Sequence, residues 1–196
     1  MKVSTVLLLP ILLLFQLPFS AKAQTVEKII EGVPADLTSE NLLVPRFDVY
    51  DVDDAPDGMP IHILPRYNKL ARQNNTSIKK TVEASCDLDY TMVSLNDVPQ
   101  QKEGGFKYYL DMVLMPKQMR YPEKRAMIPS WEKYENVNKM FTNPYVQFHY
   151  YFYIRNLETD DAYITTRFKG HYDVYSAMKI CLKQVNKDIE AGNTGS

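Results

Sequence analysis

The sequence has little of what enzymatic chemistry is usually built on. Among 196 residues there are three histidines, two cysteines and one tryptophan. No HExxH, CxxC, P-loop or GxGxxG pattern occurs, so neither metal nor nucleotide chemistry has an anchor. His62, His149 and His171 are not accompanied by a Ser or Cys nucleophile in a recognisable elbow. Cys86 and Cys181 both fall on the expected apolar faces of their elements, which favours a structural disulfide or a buried thiol over a reactive thiolate. The reading is therefore a non-enzymatic protein with no metal and no cofactor. A surplus of one charge is missing too. The formal net charge is −1, and with no basic stripe the chain is expected to bind neither nucleic acid nor an anionic membrane.

Long apolar runs are absent except at the start. "MKVSTVLLLPILLLFQLPFSAKAQ" places Lys2 before an apolar run and ends it with Ala21-Lys22-Ala23, the pattern of a secretory signal peptide over residues 1–23 with cleavage before Gln24. The run is shorter than the roughly 20 residues of a bilayer span and contains two prolines, which disfavours a retained anchor. Loss of Lys2 and Lys22 takes the 23 basic residues to 21 against 24 acidic ones. A secreted, extracellular chain meets an oxidising lumen, where a single Cys86–Cys181 bond is expected. The overlapping sequons Asn74-Asn75-Thr76 and Asn75-Thr76-Ser77 offer one N-glycan, at Asn74 or Asn75. The remaining length suits one domain.

Residues 24–57 mix prolines, acids and scattered apolar residues without a period, which predicts an extended acidic arm. Asp51, Asp53, Asp54 and Asp57 invite a calcium loop. Counting from Asp53, however, puts Ala55 third and Leu64 twelfth, where an EF-hand needs oxygen ligands. A domain is expected over 58–190, followed by a flexible tail, 191–196. "PRYNKLARQNN", 65–75, reads as a short helix with Pro65 in its first turn. From Val82 to Met92 apolar and polar residues alternate, which predicts a strand, and Phe106 to Leu114 predicts the next. Joined at "NDVPQQKEGG" they make a first hairpin. Residues 115–144, with four prolines and Trp131, read as a long surface excursion. Val146 to Ile154 and Ala162 to Phe168 alternate around the polar "LETDD", giving a second hairpin. The dense aromatic run "HYYFY", 149–153, is what half-buried strands favour. Val174, Ala177, Met178, Cys181, Leu182, Val185 and Ile189 recur at three and four, an amphipathic helix with Asp173 as N-cap. The expected class is α+β: an antiparallel sheet of two hairpins packed on helix, with an extra C-terminal helix.

The segment Gln101-Lys102-Glu103-Gly104-Gly105 with the strand after it resembles the first inhibitory hairpin of the cystatins, whose pattern there is Gln-x-Val-x-Gly before an aromatic-rich strand. "RYNKLARQNN" is similar to the end of the cystatin core helix, and Gly58 to the glycine near the cystatin N-terminus. The likeness covers residues 58–172. It implies a cystatin-like fold, a protein partner such as a papain-like cysteine protease, and contacts through Gln101–Gly105 and Gly58. This sequence departs from the pattern at three places. Lys102 and Glu103 charge the first tip, the second turn, Leu157–Asp161, lacks Pro-Trp, and the helix 174–190 has no counterpart. The favoured expectation is thus a secreted, non-enzymatic cystatin-like protein acting as an interaction or extracellular fluid or matrix component, with protease inhibition as the alternative.

Overall fold

The computed structural model describes residues 26–55, 59–94, 96–116 and 148–195. The expected leader, Gly58 and all but the first two residues of the 115–144 excursion, Trp131 included, lie outside them. Among the described residues, eight strands and three α-helices follow in the order β1 (Ile29–Glu31), β2 (Val33–Pro34), β3 (Leu42–Arg46), α1 (Leu64–Glu83), β4 (Tyr90–Ser94), α2 (Val98–Gln101), β5 (Tyr108–Pro116), β6 (Phe148–Asn156), β7 (Ala162–Ile164), α3 (Val174–Glu190) and β8 (Thr194–Gly195). A six-stranded sheet has the order β1-β7-β6-β5-β3-β4, and β2 pairs separately with β8.

The α+β class holds, but the sheet is mixed. Antiparallel pairing joins β5 to β6 along the whole of both strands and β6 to β7. β1 lies parallel to β7, and β3 lies parallel to both β4 and β5. The expected second hairpin is therefore present and the first is not, because β3 stands between β4 and β5. Its source is the stretch expected to be an irregular arm. Leu42, Leu43 and Val44 are fully buried, as a strand covered on both faces requires. Pro45, which cannot donate to a ladder, lies past the last residue that β3 pairs with β5.

Two helices cover one face. The core there joins Leu42, Val44, Ile78, Val82, Tyr108, Leu110, Phe152 and Ile154 to Met178, Cys181, Leu182 and Val185 of α3. Burial of Leu64, Tyr67, Ala71, Ile78 and Val82 runs at helical spacing, so α1 is far longer than the segment 65–75. Val82 and Ala84 end this helix instead of opening a strand, which starts only at Tyr90. Helix α3 matches its sequence expectation: Asp173 caps it by accepting from the Ser176 amide at 2.7 Å, and Ala177, Met178, Cys181, Leu182 and Val185 are buried.

The opposite face is also covered. Since β4 and β5 run the same way, the chain must return along the sheet between them, and it does so over this face. Val98 and Phe106 pack on Leu43, Val93, Tyr109 and Leu157. Farther along, Phe168 packs with Tyr151, Tyr153, Ala162 and Ile164. Beyond α3 the chain is docked, in place of the expected flexible tail. Thr194 and Gly195 pair with Val33 and Pro34, and a Cβ on Gly195 would stand 2.2 Å from Ile30 Cγ2.

Candidate functional site at one end of the sheet

The residues proposed to face a partner, Gln101 to Gly105, sit where the crossover turns into β5. They are wound as the end of a short helix: the Glu103 and Gly104 amides donate to Gln100 O at 3.1 and 3.3 Å, and Gly105 to Lys102 O at 3.3 Å. Gly105 has φ +83°, the left-handed conformation that commonly stops a helix and that glycine adopts without a Cβ penalty. This is a correction to the hairpin reading. A helical turn inside a crossover presents its flank, whereas a hairpin tip projects beyond the sheet. Lys102, Glu103, Gly104 and Gly105 are exposed, and Lys102 Nζ donates to Glu158 O at 3.2 Å.

That contact brings in the second turn. Leu157 N donates to Lys107 O at 2.8 Å, so the segment before β5 and the β6–β7 turn share one end of the sheet. Arg155 holds that turn by donating to Asp160 Oδ1 at 2.7 Å, with Asp160 at φ +60°. Asp111 ties Arg155 and Tyr153 together from β5, accepting from the Tyr153 hydroxyl at 2.6 Å. The N-terminal segment reaches the same end, where Glu27 N donates to Asp160 O at 3.2 Å.

Behind the turns Asp36 accepts from the Lys107 ammonium and, at 2.5 Å, from the Tyr108 hydroxyl. The bond from Lys107 and then that from Tyr108 hold the Asp36 carboxyl below its ordinary range. Burial, reinforced by Asp36, pushes the Tyr108 phenol well up. Such a phenol stays protonated at neutral pH and serves as a fixed donor. The group anchors the start of β5 to the segment before β3.

The expected Cys86–Cys181 bond is not formed, and both cysteines stand as free thiols. Burial raises Cys181 to about 12 and also raises Cys86, so neither is poised as a nucleophile. Cys181 Sγ is 3.4 Å from Phe152 O. Cys86 packs against the same core, and Asn186 of α3 grips both its neighbours, donating to Ser85 O and Asp87 Oδ2.

No known protein family, curated protein or solved structure matches the chain. Among the described residues no cluster of His, Cys, Asp and Glu is arranged to hold a metal ion, and no helix is long and apolar enough to cross a membrane.

Both sequon asparagines already have partners. Asn74 Oδ1 accepts from the Tyr175 hydroxyl at 2.7 Å. Asn75 closes a ring with one backbone residue, accepting from Phe47 N and donating to Phe47 O, both at 2.8 Å. Asn68 does the same with Tyr50 at 3.1 and 2.7 Å. This pair of amide clamps went unread in the sequence, although Asn68 and Asn75 stand seven apart, the spacing that puts two side chains on one helical face.

Proposed function

We propose that the chain is a secreted, non-enzymatic, cystatin-like protein that acts by contacting another protein through a surface other than the 101–105 turn. The carrying observation is the conformation of that turn: it is wound into a crossover that packs on the sheet, with the charged Lys102 and Glu103 outermost. Inserting that carboxylate into an apolar cleft would cost several kcal/mol without a matching cation. Export is supported by Lys2, the apolar run and Ala21-Lys22-Ala23. The near-balanced charge supports a protein partner over nucleic acid or membrane.

Inhibition of papain-like proteases is the second reading. It draws support from the gathering of three segments, 26–28, 101–105 and 157–161, at one end of the sheet. Progress curves of papain with the wild type and with Glu103→Val separate the two. The first reading expects no slow-tight inhibition by either protein. Tight inhibition by the wild type would make the second reading primary, and inhibition gained only by Glu103→Val would show that the charge alone had masked a competent wedge.

A further inference from the structure

The two overlapping sequons lie on α1, and the fold gives their asparagines different surroundings. Neighbouring helical residues point about 100° apart. Asn75 faces the segment after β3, where its Oδ1 accepts from Phe47 N and its Nδ2 donates to Phe47 O, both at 2.8 Å. Asn74 faces the first turn of α3, where its Oδ1 accepts from the Tyr175 hydroxyl at 2.7 Å. Its Nδ2 donates to nothing among the described residues. Among those residues the buried side-chain atoms left unpartnered are Asn41 Oδ1 and Ser85 Oγ, so Asn74 Nδ2 is open to water.

The chemistry of the linkage separates the two. An N-glycan is attached through Nδ2, and the product is a secondary amide. Such an amide is planar and strongly prefers the trans form, in which the sugar carbon lies on the same side of the C–N bond as Oδ1 and the remaining hydrogen lies opposite. Asn75 closes its ring on the single residue Phe47 with Oδ1 and with the Nδ2 hydrogen on that same side. A sugar on Asn75 takes the place of this hydrogen, so the bond to Phe47 O is lost and the sugar is driven against the Phe47 backbone. The cis form, which would spare the bond, is the disfavoured one. At Asn74 the replaced hydrogen has no protein partner, and Oδ1 remains an acceptor for Tyr175.

Transfer takes place in the lumen on the extended chain, from a lipid diphosphate-linked oligosaccharide. The asparagine Nδ2 attacks the anomeric carbon: the N–C bond forms as the C–O bond breaks, the diphosphate leaves with the electron pair, and Nδ2 gives up one proton. Both asparagines are open to this reaction before α1 winds. Folding then distinguishes the products, because only a bare Asn75 can close on Phe47.

We propose that the secreted protein carries its N-glycan on Asn74 and leaves Asn75 bare. The proposal rests on the preceding reading of an exported chain and assigns the modified atom within it.

The test maps the site on the wild-type chain secreted by cultured eukaryotic cells. Tryptic cleavage after Arg72 and Lys79 yields the peptide Gln73–Lys79, and enzymatic release of the glycan in heavy-oxygen water turns the sugar-bearing asparagine into a labelled aspartate that fragment masses locate. The label should favour position 74 over 75 by at least about tenfold. A smaller excess, or a majority at 75, would overturn the proposal. A second measurement follows the clamp itself. The Phe47 amide should exchange equally fast in the glycosylated chain and in the bare chain made in bacteria; exchange about tenfold faster in the glycosylated chain would overturn the proposal, because the sugar would then have opened the clamp. Export with neither asparagine occupied would overturn the site and leave the secreted reading standing. A chain kept in the cell with its leader uncleaved would sink both.

Discussion

At the scale of single residues, the molecule depends on a few polar side chains that each satisfy several backbone groups. Asn75 is one. Asn75→Ala removes two hydrogen bonds at once, and at about 1 kcal/mol each the expected loss is roughly 1–2 kcal/mol. Amide exchange should accelerate at Phe47 while the amides in the middle of α1 and α3 keep their protection. Uniform acceleration across the chain would show that the clamp is not a local device. Asp188 is the second. It is fully buried and accepts from Thr166 N at 2.9 Å, Thr166 Oγ1 at 2.5 Å, Gln184 Nε2 at 3.0 Å and Asn193 Nδ2 at 3.3 Å, with no cation among these partners. Asp188→Ala would leave four donors without their acceptor, and the expected destabilisation is several kcal/mol, measured by urea denaturation. A loss below about 1 kcal/mol would mean that water replaces the carboxylate freely. None of this was legible in the sequence, because an asparagine or an aspartate on a helix carries no mark of what it will meet across the fold.

At the scale of elements, legibility followed the length and purity of the periodic pattern. Helix α3 was readable to its cap because seven apolar positions agree on one face and Asp173 precedes them. Asp173→Ala should cost about 1 kcal/mol, seen as a lowered midpoint in thermal unfolding. The β6–β7 hairpin was readable from clean alternation around a polar turn. Strand β3 was not. "LLVPR" is short, apolar without alternation and contains proline, features shared by a doubly buried parallel strand and an irregular arm. The strand expected from Val82 failed because alternation through "TVEASCDLDY" begins by chance on the last turn of a helix whose face had been set from Leu64 onward. That one misreading also produced the first hairpin, since β4 and β5 were adjacent in sequence and nothing local revealed the strand inserted between them.

The Asp36–Lys107–Tyr108 group joins elements across the sheet end, and its sign with pH can be worked out. Asp36 has a lowered folded value, so its contribution is present above the ordinary carboxylate range and is lost as pH falls through that lowered value. Lys107 has a raised one, so its contribution is present below the ordinary lysine range and is lost as pH rises through the raised value. Asp36→Asn should therefore lower the melting temperature near neutrality and make progressively less difference below about pH 4, the reference value for an unfolded aspartate. A difference between the two proteins that stays constant down to pH 2 would contradict the assigned role.

For the whole molecule, among the described residues both faces of the sheet carry packed cores, and the turn at 101–105 stands exposed at one end of it. That turn was visible in the sequence as a glycine-bearing charged stretch, with its conformation misread. The direct measurement is papain inhibition by the wild type beside Lys102→Ala with Glu103→Ala, which removes the charges from the turn and leaves its glycines in place. Neither protein should inhibit, because the turn is wound into the crossover instead of projecting as a wedge; tight inhibition by the wild type would contradict the account.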